Sequence, residues 1–454
     1  MVMSSVVATP QGEGEARSAW VEQVLHEAHR RQNEGKLPAS IAAVINEARV
    51  TWGKVLFPTS KLEAWKYTNP APIAEGPFDL PKSGAEKSVA DLLKHASIPG
   101  LEESSRIVFV DGAFSGELSS IVHTKGLHVE RITSGAQSGD AQSSGANGVG
   151  ALGLHRDDPF AALATALFSD VVCLTVARGV VVERPVHIVH IASPRSNGAA
   201  LTPRLYLKAD EGSQVTIVES FVGAENVRYL SLPVCEVVAE ANAHVDYYRI
   251  QRESAASYHV SNSAVEQHRD AEVRTHIFSF GGALVRNNAQ VRLMGANSQA
   301  VLNGLSLLTG AQHVDNSTLI HHIEPSAESR EHFKGIYAEQ SRGVFSGTIT
   351  VEKAAQKTNA FQSNQALLLS SEASIESRPQ LKIWADDVKC THGATVGQLD
   401  PNALFYLQSR GISKDQAKAF LVHAFASEVL SSVRSAPVKA YVEEIISARL
   451  AALS

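Results

Sequence analysis

Cysteine is scarce in this chain: three among 454 residues, at positions 173, 235 and 390. So few thiols, so far apart, exclude the disulfide framework of a small secreted domain, and there is no Cys-x-x-Cys pair. Aromatic residues make up 6% of the sequence, too few for a platform on which sugar rings stack. No run approaches the ~18 apolar residues of a membrane-spanning helix. No long basic run occurs, and 41 basic against 47 acidic residues leave a net charge of −6, so nucleic acid is not an expected partner. The start, Met-Val-Met-Ser-Ser-Val-Val-Ala-Thr-Pro, lacks the charged region and apolar run of a signal peptide, which makes a cytoplasmic location the expectation. Nucleotide-binding and hydrolase signatures are missing too: no Gly-x-x-x-x-Gly-Lys-[Ser/Thr] loop, no Gly-x-Gly-x-x-Gly after a strand and no Gly-x-Ser-x-Gly elbow.

What is present is a chain with 44% hydrophobic residues, enough for one large domain with appendages or for two or three domains. The first hundred residues carry helical spacing: Ala16, Ala19, Trp20, Val24, Leu25 and Ala28, then Ile41 to Val50 after Pro38. Ser60-Lys-Leu-Glu63 reads as a capping box leading into Glu63-Ala-Trp-Lys-Tyr-Thr68, whose Trp65 and Tyr67 are expected to pack on the body of the protein. From about residue 105 the period becomes two. Strands are expected at 106–110, 171–176, 180–182, 186–191, 205–207 and 215–218, with a short helix from Asp158 to Phe168. The Gly/Ser/Ala-rich stretch from Thr133 to Leu152 reads as a mobile loop.

A repeat runs through the β region. Corner-like segments recur as Glu211-Gly-Ser-Gln-Val215, Ala241-Asn-Ala-His-Val245, Asp270-Ala-Glu-Val273 and Ala296-Asn-Ser-Gln-Ala-Val301, with Ser371-Glu-Ala-Ser-Ile375 in the same style. Strand-rich repeats of about 30 residues fit a β-solenoid, in which each coil needs a neighbour to cover its face. A β-sandwich, with turn signals every 8–12 residues, fits less well. After Asp400 the helices return: Asp400-Pro401 starts one and Arg410-Gly411 stops it. Ser413-Lys-Asp-Gln416 is a second capping box. The next helix carries Ala417, Phe420, Leu421, Ala424, Phe425 and Leu430 on a broad face, and a last one near Pro437 shows Val438, Tyr441, Val442, Ile445 and Ile446. This apolar surface either caps the solenoid end or docks another subunit.

The chemistry concentrates in Asp386-Asp-Val-Lys-Cys-Thr-His-Gly-Ala-Thr-Val-Gly-Gln-Leu-Asp400. On an extended backbone Cys390 and His392 project to one side, and a thiol beside an imidazole suits a thiophilic metal or a sulfur-containing intermediate. Two ligands are short of the four that zinc or iron–sulfur centres take, so the rest must come from elsewhere. The bland alternative is a buried thiol and a hydrogen-bonded imidazole; Cys173 and Cys235, in strand-like runs, read as core. His313-Val-Asp315 and His321-His322-Ile-Glu324 form a weaker metal candidate, since His321 and His322 would face opposite sides of a strand. Asp386 and Asp387 raise a carbohydrate-cleaving β-helix as the alternative enzyme, with poor geometry for a cooperating pair.

Specific motifs then resemble the SufB/SufD family of the SUF iron–sulfur assembly machinery. They are Phe345-Ser-Gly-Thr-Ile-Thr-Val351, Ala355-Gln-Lys-Thr358, Leu367-Leu-Leu-Ser370, Pro379-Gln-Leu381, the segment Asp386–Gly397, and Leu404-Phe-Tyr-Leu-Gln-Ser-Arg-Gly411. Glu63–Thr68, Phe109-Val-Asp-Gly112 and Asp158-Pro-Phe-Ala-Ala-Leu163 look similar upstream. The resemblance implies a mainly β fold, a right-handed parallel β-helix flanked by N-terminal and C-terminal α-helical regions, divided as 1–104, 105–399 and 400–454. It implies a non-catalytic subunit that pairs with SufB through the β-helix and docks the ATPase SufC through the C-terminal helices. Leu404, Tyr406, Phe420, Leu421 and Phe425 would then form the docking face. His392, with Cys390 beside it, would lend ligands to a transient iron–sulfur cluster completed by SufB. Three cysteines and no cysteine-rich segment place the chain nearer the SufD branch, and the SufB-pairing surface suggests self-association when isolated. A purely architectural role beside SufB is the competing reading.

Overall fold

Runs of alternating side chains and small polar corners give the central fold its form. In a computed structural model, which describes residues 19–34, 37–55, 57–82, 88–133 and 145–452, the chain winds into a parallel β-solenoid of about eight turns. Each coil contributes a strand to a ten-stranded sheet, here sheet one, and another to an eleven-stranded sheet, here sheet two. Alternate residues point inward. Val215, Val245, Val273 and Ala300 from sheet one meet Leu207, Val237, Val265 and Val291 from sheet two in a continuous interior. Each fully buried side chain of this kind contributes roughly 1.5–3 kcal/mol.

The stacking corrects the repeat in detail. Val215, Val245 and Val273 are indeed register partners, but the next coil aligns Ala300, and Val301 falls beside Arg274. Ser371–Ile375 belongs to the corner that enters sheet two. The shared feature of the first corner is backbone shape: Gly212, Asn242, Asp270, Asn297, Ser326 and Lys357 all have φ between 57° and 67°. Glycine and short polar side chains tolerate that left-handed turn best, which is why the sequence shows small polar residues there.

Nine helices occur among the described residues: α1 (Ala19–Glu34), α2 (Ala39–Trp52), α3 (Ala71–Ala74), α4 (Val89–Ala96), α5 (Leu154–Asp157), α6 (Pro159–Leu167), α7 (Pro401–Ser409), α8 (Lys414–Leu430) and α9 (Ala436–Ala452). Trp20, Val21 and Val24 of α1 join Trp52, Phe57, Trp65 and Phe160 on the outer face of sheet two, against Leu232, Val234 and Val260. Val422, Ala426 and Val429 of α8 and Val438, Val442 and Ile446 of α9 cover the outer face of sheet one, against Tyr248, Phe278, Leu305 and Ile336. The C-terminal helices therefore flank the solenoid and leave its last coil uncapped, contrary to the capping option. At the opposite end two antiparallel strands, Ala113–Phe114 and Leu127–Thr133, border the first parallel strands.

Other expectations also shift. Val180–Val182 forms only an isolated bridge at Val181. Ser60 caps nothing: the short 3₁₀ turn Glu63–Trp65 has Leu62 at its start, and the Glu63 carboxylate instead pairs with Arg378 on the strand Ser374–Ile383. Ala16 and residues 134–144 lie outside the described residues. The described part of the Gly/Ser/Ala stretch, 145–152, is packed, because Gly150 and Leu152 donate their N–H groups to Glu236 at 2.8 and 3.1 Å. Glu236 itself is paired with buried Arg204 at 2.8 Å.

Segment 63–68 is a strap across sheet two. Trp65 is buried against Phe160 and lies 4.0 Å beneath the Arg286 guanidinium. Arg286 pairs with Asp315, which also accepts from the Thr68 hydroxyl at 2.5 Å. Removing Arg286 leaves a buried carboxylate without its cation, so Arg286→Ala is expected to cost about 3–5 kcal/mol. Urea unfolding of the variant checks this, and a loss below about 1 kcal/mol would contradict the buried pairing.

Candidate functional site at the open coil

The segment singled out in the sequence forms the last strand of sheet one, Lys389–Gly397, preceded by the turn that carries Asp386 and Asp387. In-register pairing fixes which way its side chains face. Cys390 stacks on Ala360 and His392 on Gln362, and both partners point into the solenoid and are fully buried or nearly so. Among the described residues no further coil stacks on it, so the inner side of this strand is open. His392 is exposed, and Cys390 is half-buried against the interior cluster. Burial raises the Cys390 thiol above its ordinary value of 9.0, while the Ala360 backbone N–H opposes the shift.

The pair therefore lies on one face, as expected, at an edge beyond which no strand pairs among the described residues. The neighbouring surface is apolar: Ile383, Trp384 and Val396 are exposed around the same coil, as is Phe361 one strand back. An unpaired sheet edge beside exposed apolar side chains is the kind of surface on which another chain can add. Sequence reading missed these four residues. Their signal lay in strand parity, which becomes readable once the register of the last coil is known.

The remaining thiols are core. Cys173 is buried with Tyr206 under α2, and Cys235 faces the interior; burial pushes each thiol up to about 12. The weaker metal candidate dissolves into separate bonds. His313 bonds Thr68 at 3.0 Å, Asp315 belongs to the Arg286 pair, His321 bonds Glu352 at 2.8 Å, and buried His322 bonds Ser329 at 2.8 Å. His321 and His322 do face opposite sides. Among the described residues no group of three or more His, Cys, Asp or Glu side chains is placed to hold a metal ion. Asp386 and Asp387 are exposed, and Asp387 holds the corner through its backbone, accepting from Lys357 N at 2.6 Å and donating to Gln356 Oε1 at 2.9 Å.

The docking residues separate. Tyr406 and Phe420 are 58% and 68% exposed, whereas Leu404, Leu421 and Phe425 are half-buried. The face read for α8 is split: Ala417 and Leu430 are buried, while Phe420 and Ala424 point to solvent and Val422, Ala426 and Val429 pack instead. Phe425 is held by Lys334, whose Nζ lies 4.2 Å over its ring and donates to its carbonyl at 3.0 Å. Phe405, unnoticed in the sequence, is 73% exposed beside Tyr406 on α7, a helix with no buried residue. The capping box Ser413–Gln416 forms as read, and the α9 face is buried as read.

The described residues thus form a parallel β-solenoid whose last coil bears a thiol and an imidazole, too few ligands to close a metal site. Comparison with known proteins gives this class its family. Residues 23–188 match the description "SufBD protein N-terminal region", and residues 190–425 match "SUF system FeS cluster assembly, SufBD core domain". The chain belongs to the SufBD family of the SUF iron–sulfur cluster assembly system. It is 31% identical over 395 residues to the iron–sulfur cluster assembly protein SufD of Escherichia coli, covering 87% of this chain and 89% of that protein. A SufBD-family protein of Synechocystis is 30% identical over 408 residues, 87% of this chain and 88% of its own length. SufD of Bacillus subtilis is 28% identical over 288 residues, 63% of this chain and 65% of that protein.

The burial pattern makes one chemical statement checkable without any partner. In the folded chain a bulky thiol reagent should label one cysteine of three, with labelling abolished in Cys390→Ala and still quickening above pH 9. Labelling of two or three thiols before unfolding would contradict the buried placement of Cys173 and Cys235.

Proposed function

We propose that this chain is a SufD-type subunit of an iron–sulfur assembly scaffold. It pairs with a SufB-type partner through the open coil, docks a SufC-type ATPase through its C-terminal helices, and lends His392, with Cys390 beside it, to the cluster being built. The cluster is cargo, shared and transient. The observation that carries this reading is the exposed His392 on the inner side of a strand edge that, among the described residues, no further strand covers. Thiolate and imidazole bind iron only when deprotonated, and the ligands missing here would arrive with the partner's surface.

Work on nucleotide is assigned to the ATPase partner, in keeping with the absent phosphate loop and with the naming of the relatives as assembly proteins. No helix among the described residues is long and apolar enough to cross a membrane, and we place the protein in the cytoplasm. The half-burial of Cys390, and the raised thiol that follows from it, favour a structural share for that residue. The imidazole is then the principal ligand.

Anaerobic co-purification with SufB and SufC, followed by iron and sulfide analysis, tests the ligand role. His392→Ala should leave the complex assembled and strip most of its iron and sulfide, with a smaller loss for Cys390→Ala. Unchanged iron content in His392→Ala would refute the ligand role and leave the architectural one. Docking is tested separately. The double variant Phe405→Ser, Phe420→Ser removes solvent-exposed rings, so it should keep thermal stability within about 0.5 kcal/mol while losing SufC in pull-down. Retention of SufC would place the docking face elsewhere.

A further inference from the structure

Beneath the open coil the interior carries polar side chains. Two inward columns run down from the last strand: Cys390 over Ala360 over Ser329, and His392 over Gln362 over Glu331. Glu331 is 0% exposed. Its Oε2 accepts from the Gln362 amide at 2.6 Å, its Oε1 has no partner, and neither do Gln362 Oε1 or His322 Nδ1, all buried. Gly347, across the interior, gives the amide its place: a Cβ there would run into Gln362 Nε2.

Other interior carboxylates are paired. Burial works against ionised Glu219, yet His190 at 2.9 Å, Arg249 at 3.3 Å and the Tyr247 hydroxyl hold it at about 2. Around Glu331 no such cation is found among the described residues. Leu302 stacks on one side and Gln362 on the other, and Ser329 and Phe333 flank it on its own strand. The Thr318 hydroxyl faces it without closing a normal hydrogen bond. His322 is bonded to Ser329, two residues from Glu331 on its strand, and burial, with His321 adding, holds it down at about 4, hence neutral. His392 stands one strand above Gln362, about 4.8 Å away along the stack.

We propose that Glu331, with Gln362 and water held at their unpartnered oxygens, is the proton-accepting group serving the Cys390–His392 end of the solenoid. Buried polar atoms lacking protein partners are where internal water is found, and water there would join the carboxylate to the open coil. When ligands engage iron their protons must leave. The S–H bond of Cys390, or the N–H bond of a protonated His392 ring, breaks as iron is engaged; that proton passes through water down the column, an O–H bond forms on the ionised Glu331 carboxylate, and no electron is transferred. Burial raises the Glu331 carboxyl to about 7, opposed by the nearby Thr318 hydroxyl and the Gln362 amide, so it can take and return a proton near neutral pH. The cargo side of this inference rests on the ligand role proposed above.

Infrared difference spectroscopy on the full chain separates the two. Between pH 5 and 9 a protonated-carboxyl band should fade with a midpoint near 7 and be missing in Glu331→Gln. A band that does not titrate, or one that persists in Glu331→Gln, would overturn the assignment. Gln362→Leu, which removes the donor to the ionised form, should move the midpoint upward; an unmoved midpoint counts against the column. The sign also shows in stability. A folded-state value above the ordinary 4.5 of a free carboxyl means that the native state loses stability as pH rises from 4.5 through about 7. The melting temperature of Glu331→Gln should therefore pull ahead of wild type between pH 5 and pH 8, and a gap that stays constant or narrows would overturn it. In the reconstituted complex Glu331→Gln should load iron several-fold more slowly to an unchanged final content; loading at the wild-type rate would overturn the proton-accepting role. Normal loading by His392→Ala would remove the ligand reading alone, leaving the infrared result standing.

Discussion

Parallel stacking of one coil on the next is the constraint from which the rest of this structure follows. Each coil satisfies its backbone by bonding to the coils on either side and covers its inward side chains with theirs. The arrangement has no natural stop, so its two ends decide what the protein can do. At the first end antiparallel strands border the sheets. At the last, Ser374–Ile383 and Lys389–Gly397 are edge strands of their sheets, and the inward positions that would be core in any earlier coil stand open. Cys390 and His392 occupy two of those positions.

The helices reinforce this asymmetry. Helices α1 and α2 cover sheet two, while α4 and the pair α8 and α9 cover sheet one, each by burying an apolar stripe on an outer face. Lys334 carries this over to the interior's surroundings. It sits on the strand that holds Glu331 and Phe333, yet its ammonium is buried against the Phe425 carbonyl and the Glu428 carboxylate of α8. The helix that presents Phe420 to solvent is thus bonded to a coil only two strands from His392. A partner pressing on α8 would press on that coil.

Much of the fold was legible in the sequence, because solenoid corners leave a mark that survives degeneracy. Only glycine and short polar residues adopt the left-handed turn easily, and they recur where Gly212, Asn242, Asp270 and Asn297 stand. Register was less legible: Val301 looked like the next corner valine, but a coil shorter by one residue puts Ala300 there. Placement of the C-terminal helices was not legible at all, since an apolar stripe looks the same whether it caps an end or lies on a flank. The same ambiguity hid the split of α8, where Phe420 and Val422 are equally apolar and only one is buried. At the site, two-residue spacing put the thiol and the imidazole on one face. The depth of each, and the column of Gln362 and Glu331 below, depended on partners some 30 and 60 positions away, which no local pattern records.

That the last coil is left bare for another protein is most directly tested by amide hydrogen exchange along Lys389–Gly397, in the isolated chain and in the complex with SufB. Fast exchange of the outward amides alone, and marked slowing in the complex, is the expected result. Equal protection in both states, whether fast or slow, would mean that this edge meets no partner, and the shared site at His392 would fall with it.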